Sequence, residues 1–168
     1  MTTFDLRMLR LRSGDQARER VDVELEPLVL GGQTYEPRPN PAPSELTVTR
    51  ASSGTVLELA LDVSLEGPCF RCLADAELPL SLRLREYEDA NPEGDEMRTE
   101  YLEDDRLDLS AWAHDAIALA LPDKILCRPD CAGLCPDCGK DLNAEPHEHT
   151  DERADPRWEK LSELRQET

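Results

Sequence analysis

The sequence predicts an α+β molecule. An N-terminal antiparallel β-sheet or barrel-like domain carries a cysteine knuckle at a hairpin tip, and two helices and a cysteine-bearing loop follow. Three observations predict this. Apolar residues alternate with polar ones up to about residue 88, the signature of half-buried strands. An apolar stripe at helical spacing follows Asp108. All six cysteines fall in two widely separated clusters at turn-like positions.

Taken in order, Val21, Val23 and Leu25 suggest a first strand, and Leu46 with Val48 a second. Between them, Pro27 to Ser44 is rich in proline and contains Gly31-Gly32, so it reads as a long irregular connection. From Val56 to Glu66 the alternation is clean. Leu57, Leu59, Leu61, Val63 and Leu65 share one face, with Glu58, Asp62, Ser64 and Glu66 opposite. Leu78, Leu80, Leu82 and Leu84 repeat the pattern against Glu77, Ser81, Arg83 and Arg85. Gly67-Pro68-Cys69-Phe70-Arg71-Cys72 then lies at the tip of a predicted hairpin.

Leu109, Trp112, Ala113, Ala116, Ile117 and Ala120 predict a helix capped by Asp108 or Ser110 and stopped by Pro122. A second helix is expected after Asp155-Pro156-Arg157-Trp158, with the aspartate as cap, the proline at the first helical position, and Leu161 and Leu164 on its apolar stripe. Trp112 and Trp158 are expected as core anchors. The predicted organisation is a β-rich domain over residues 1–88, an acidic loop over 89–106, and a helical and cysteine-loop region over 107–168 that packs on the β-domain to make a single structural unit.

A chain of 168 residues can bury a real core. No apolar run is long enough to cross a bilayer, and the start, with Arg7 and Arg10, lacks an apolar signal core. The protein is therefore expected to be cytoplasmic and to have no membrane partner. The net charge of −18 is unevenly spread. Glu86 to Asp108 holds eleven acidic residues against Arg98 and Arg106. The first twenty residues instead carry Arg7, Arg10, Arg12, Arg18 and Arg20 against Asp5, Asp15 and Glu19. Such acidity aids solubility, repels polyphosphate backbones and matches basic partner proteins.

The cysteines carry the chemistry. The first cluster is Cys69-x2-Cys72 and the second is Cys127-x3-Cys131-x3-Cys135-x2-Cys138. Two residues between thiolates let both sulfurs of a tight turn reach one tetrahedral ion, and Gly139 after Cys138 frees the backbone to turn amides toward sulfur. A structural zinc site is the reading taken. A disulfide framework suits a secreted chain, which the start does not indicate. Cys135-Pro136-Asp137-Cys138 superficially fits thioredoxin-like chemistry but is followed by glycine and polar residues instead of a helix. A zinc deaminase needs an upstream His-x-Glu, whereas His114 is followed by Asp115 and Ala116.

The four later cysteines could close a local site, or Cys69 and Cys72 could join a pair from the later cluster. A split site pins distant segments, where a metal contributes most to folding. All six, Cys69, Cys72, Cys127, Cys131, Cys135 and Cys138, stand as candidate ligands. His147 and His149 could replace a thiolate but read as solvated loop residues, with nothing apolar around them. Arg71, between the first cysteines, could orient a carboxylate or phosphate, or form an exposed ion pair.

In combination, Cys69-x-Arg71-Cys72 after an amphipathic strand, an acidic segment, Leu107-Asp108-Leu109, the helix ending Leu119-Ala120-Leu121-Pro122, and the run from Leu126-Cys127 through Gly133-Leu134-Cys135 and Cys138-Gly139 to Asn143, closed by Asp155-Pro156-Arg157, resemble the YceD-like family of large ribosomal RNA subunit accumulation proteins. The resemblance runs from about Thr55 to Arg165. It implies a bacterial or plastid-type cytoplasmic factor needed for large-subunit ribosomal RNA to accumulate, with a zinc-type cysteine site and no established catalysis.

The function expected is ribosome biogenesis by binding, not by enzymatic chemistry. No catalytic set of Ser/His/Asp type, phosphate-cradling glycine loop or paired carboxylates stands out. The partner expected is a basic ribosomal protein or a large-subunit assembly factor, with ribosomal RNA contacted indirectly or weakly. Two alternatives stay open: a direct RNA-binding zinc module using the N-terminal arginines with Arg71, Arg83 and Arg85, and a thiol-based redox switch that releases zinc on oxidation.

Overall fold

Alternation of apolar and polar side chains builds the longest elements of the computed structural model, which describes residues 1–91 and 98–149. In chain order these are β1 (Thr3–Asp5), a 3-10 turn (Leu6–Leu9), β2 (Gln16–Val23), β3 (Leu28–Leu30), β4 (Gln33–Arg38), β5 (Ala42–Arg50), β6 (Gly54–Pro68), β7 (Asp75–Asp89), β8 (Leu102–Glu103), β9 (Arg106–Asp108) and α1 (Leu109–Ala120). The chain forms two compact units, Met1–Cys131 and Ala132–Thr168.

The first unit is organised around β6. Along one edge it pairs with β7 over its whole length, from Gly54 opposite Asp89 to Pro68 opposite Asp75. Its other edge is shared, β5 pairing with Thr55 to Leu61 and β4 with Ser64 to Glu66. β2 adds to β5 and β3 to β4, every pairing being antiparallel. The strand order is that of an open sheet; a second, small sheet has the order β1, β9, β8. Leu57, Leu59, Leu61, Val63 and Leu65 are buried, as are Leu46 and Val48 of β5, while Leu78, Leu80, Leu82 and Leu84 of β7 pack partly buried against them.

α1 covers this core with Leu109, Trp112, Ala113 and Ile117. Asp108 is its N-cap, accepting from the Ala111 amide at 3.0 Å. Ser110 serves elsewhere: its hydroxyl accepts from the Thr2 amide and donates to the Glu24 carbonyl, both at 2.7 Å, tying β1 and the end of β2 to the helix. Trp112 is buried and stacks on Tyr101, with ring centroids 6.1 Å apart.

Two expectations are corrected. The α+β class with two helices gives way to a mostly β molecule with a single α-helix among the described residues. The helix expected from Asp155, with Trp158, lies outside them. The stretch Pro27 to Ser44 is not irregular; it contributes β3, β4 and the start of β5. Leu30 pairs with Gln33, so Gly31-Gly32 is a two-residue hairpin turn, with φ of +60° and +81°. Both central residues of such a turn need positive φ, which glycine adopts at no steric cost. The two prolines that fall within these strands are tolerated because each lies where one neighbouring strand is missing. Pro37 pairs with Leu65 of β6 beyond the end of β3, and Pro43 with Asp22 of β2 before β6 joins at Ser44. There the absent N–H can face away from the ladder.

Candidate metal centre

The hairpin of β6 and β7 carries Cys69 and Cys72 at its tip. The Cys69 amide donates to the Ala74 carbonyl at 2.7 Å and the Leu73 amide to the Cys69 carbonyl at 3.0 Å. The turn closes through Leu73 in the left-handed region, at φ +62°. Its base is buttressed by Tyr35, whose hydroxyl donates to the Pro68 carbonyl at 2.9 Å. The Tyr35 ring lies so close to Gly67 that a Cβ there would meet its Cδ1 at 2.5 Å.

The chain after α1 returns to this tip. The Phe70 amide donates to the Ile125 carbonyl at 2.8 Å, and Ile125 is buried. Cys127 and Cys131 thereby join Cys69 and Cys72, with all four sulfurs within 4.8 Å of one another. Cys69 and Cys131 are buried, Cys72 is half-buried and Cys127 is exposed. Arg71 clamps the two segments: its guanidinium donates to the Cys131 carbonyl at 2.7 Å. That contact is neither the anion-orienting role nor the exposed ion pair anticipated for it.

The spacings identify what these sulfurs suit. Cys69 and Cys131 Sγ are 3.8 Å apart and Cys72 and Cys127 Sγ 3.6 Å. A disulfide needs about 2.05 Å. Two sulfurs each about 2.3 Å from one tetrahedral ion lie about 3.8 Å apart. Without a cation the cluster resists full ionisation. Burial disfavours the Cys69 thiolate, but amides of Cys72, Cys127 and Arg71 outweigh it and bring the thiol down to about 6. Cys127 is pushed up to about 12, by desolvation first and then by Cys72, Cys131 and Cys69. One thiolate is welcome, further ones repel, and a divalent ion removes the conflict.

Cys135 and Cys138 lie in the second unit, where they gather with His147 and His149; these four donor groups also lie within 4.8 Å of one another. A tight loop positions them. Leu134 bridges Asp141, the Leu142 amide donates to the Gly133 carbonyl at 2.9 Å, and the Ala132 amide to Asn143 Oδ1 at 2.8 Å. Cys138 Sγ is 3.1 Å from His147 Nε2, and the His147 and His149 rings meet edge to face with centroids 5.0 Å apart. These histidines, His147 half-buried and His149 exposed, are thus brought beside the cysteine pair, as the alternative in which they replace a thiolate requires. Their spacing hid them, because eight residues from Cys138 and one between the histidines is shorter than the usual finger pattern. The six cysteines therefore fall into a four-sulfur group and a pair that groups with imidazoles.

Fold and site define a mostly β protein with a sulfur cluster suited to a metal ion at a hairpin tip. Residues 57–165 match the family model described as large ribosomal RNA subunit accumulation protein YceD, and the chain belongs to that family. It is 36% identical over 127 residues to an uncharacterized protein of Mycobacterium tuberculosis, covering 71% of this chain and 60% of that one. The same figures hold for an uncharacterized protein of Mycobacterium bovis. One from Mycobacterium leprae is 29% identical over 125 residues, covering 71% and 57%. The chain thus spans about 60% of the length of the curated relatives it matches. No solved structure matches it. No helix among the described residues is long and apolar enough to cross a membrane.

Proposed function

We propose that this protein is a ribosome-biogenesis factor that supports accumulation of the large ribosomal RNA subunit by binding, with a structural zinc ion held by Cys69, Cys72, Cys127 and Cys131. Family membership carries the process. The four-sulfur geometry supports binding over catalysis, because four thiolates fill a tetrahedral shell and leave no open position for a water nucleophile. The zinc joins the hairpin tip to the segment after α1 and makes both a rigid platform.

The partner is a basic protein of the large-subunit pathway, a ribosomal protein or an assembly factor. The charge of −18 favours such a partner over a phosphate backbone. Four of the arginines that a direct RNA-binding reading would use are engaged within the chain. Arg7 pairs with Asp105 at 3.1 Å and donates to the Asp104 carbonyl at 2.8 Å. Arg83 faces Asp62 at 3.4 Å, Arg85 faces Glu58 at 3.9 Å, and Arg71 holds Cys131.

Affinity capture of the tagged protein from cells, with and without ribonuclease, tests this. Large-subunit precursor proteins should remain attached after ribonuclease. Their complete loss would favour direct RNA binding. A zinc-dependent nuclease activity that disappears with a Cys131→Ser substitution would overturn the non-catalytic reading.

A further inference from the structure

We propose that Cys135, Cys138, His147 and His149 hold a second zinc ion, so that the chain takes two. This site shares no ligand with the four-sulfur centre and its argument stands independently.

The first support is a repeated piece of backbone. In the first knuckle the Cys69 amide donates to the Ala74 carbonyl and the Leu73 amide to the Cys69 carbonyl. In the second, at the same offsets, the Cys135 amide donates to the Lys140 carbonyl at 2.8 Å and the Gly139 amide to the Cys135 carbonyl at 2.9 Å. The residue after the second cysteine is left-handed in both, Leu73 at φ +62° and Gly139 at φ +71°. A turn of this shape aims both sulfurs, and amide N–H groups behind them, at one point.

The second support is the orientation of an imidazole. His147 Nδ1 lies 2.7 Å from the Glu145 carbonyl. A carbonyl oxygen only accepts, so Nδ1 carries a proton, and Nε2 is the nitrogen that faces Cys138, 3.1 Å away, and would bind an ion. A ring nitrogen bonded to a backbone carbonyl, with the other facing the ion, is the usual arrangement of a metal-bound histidine.

Charge explains why this site can lie nearer to solvent. Zinc with two thiolates and two neutral imidazoles is formally neutral, whereas zinc with four thiolates carries two negative charges. The four-sulfur centre accordingly has two buried cysteines and the amide donors of the hairpin tip. The second leaves Cys138 and His149 exposed, at little electrostatic cost in an acidic chain. Thiolate with imidazole in tetrahedral array selects zinc over the hard, oxygen-seeking cations.

Full-length protein purified with zinc and without chelator provides the test. The unaltered chain should hold about two zinc ions, and His147→Ala/His149→Ala about one, as two four-ligand sites require. Cobalt(II) then reports ligand type independently of folding yield. Thiolate-to-cobalt charge transfer should fall by about a third in Cys135→Ser/Cys138→Ser, two of six thiolates being lost. One zinc in the unaltered chain, retained by the histidine variant and lost from Cys69→Ser/Cys72→Ser, would overturn the second site and leave the first standing. One zinc lost from the histidine variant and retained by Cys69→Ser/Cys72→Ser would support the second site and overturn the first.

Discussion

Leu73 and Gly139 occupy equivalent steps of two cysteine turns, at φ +62° and +71°. Only one of them is a glycine. A branched side chain in the left-handed region costs about 1–2 kcal/mol, whereas glycine visits it freely but loses more entropy on folding. Leu73 is 57% exposed and contributes little burial in return. Leu73→Gly should therefore raise stability by about 0.5–1 kcal/mol, and Gly139→Ala should lower the stability of its loop by about 1 kcal/mol. Thermal unfolding of zinc-loaded protein measures the first, and zinc retention against a graded chelator the second. A destabilised Leu73→Gly would show that the side chain packs in a way its exposure does not suggest. At the sulfur cluster the effect is larger, since structural zinc contributes on the order of 10 kcal/mol to folding in small domains. Cys131→Ser should lose the metal from that centre and cause a larger fall in melting temperature than any surface substitution. Metal analysis and calorimetry on the same sample check it.

The strands and the helix each carry a test of their own. Gly67 lies under the Tyr35 ring, and a methyl group there would also come within 2.8 Å of the Thr34 carbonyl oxygen. Gly67→Ala must push β4 from β6 at the base of the knuckle, costing about 1–3 kcal/mol as overpacking does. Tyr35→Phe keeps the packing and loses only the bond to Pro68, so its cost is nearer 1 kcal/mol. Asp108→Ala removes the cap of α1 for about 1 kcal/mol. Denaturant unfolding ranks the three, and equal losses for Gly67→Ala and Tyr35→Phe would contradict the steric account. The elements most legible in the sequence were those whose pattern is long and regular. The β6–β7 hairpin follows from nine leucine and valine positions in alternation, and α1 from a stripe with a cap and a proline stop. The prolines between residues 27 and 44 masked three strand segments, because proline reads as punctuation until pairing shows which edge of each strand is free. β1, β8 and β9 are two or three residues each and leave no periodicity to read. At the centre, cysteine spacing pointed to metal chemistry and the hairpin tip placed one half. Only the fold reveals that Ile125 meets Phe70 and so delivers Cys127 and Cys131 to that tip. Loop curvature alone brings His147 beside Cys138.

Across the whole molecule, the question is what the surface charge recognises. Glu100, Glu103, Asp104 and Asp105 are exposed, and the last two form the β8–β9 turn with φ of +49° and +62°. Asparagine tolerates that backbone as aspartate does, so amide substitution neutralises charge and keeps the turn. A basic partner steered by these acids binds less tightly to Glu100→Gln/Glu103→Gln/Asp104→Asn, and its association rate falls most at low salt, where fields reach furthest. Asp105 is left intact because its ion pair with Arg7 would otherwise be lost along with the charge. Salt dependence of wild type alone cannot discriminate, because phosphate contacts also weaken as salt rises. The discriminating comparison is with Arg10→Ala/Arg12→Ala. If a protein partner is recognised through acids, the triple amide variant loses capture of large-subunit precursor proteins and the arginine variant keeps it. If RNA is the ligand, the arginine variant loses capture, ribonuclease dissolves the wild-type complex, and neutralising three acids strengthens binding by lowering repulsion. The two readings thus predict opposite signs for the same three substitutions.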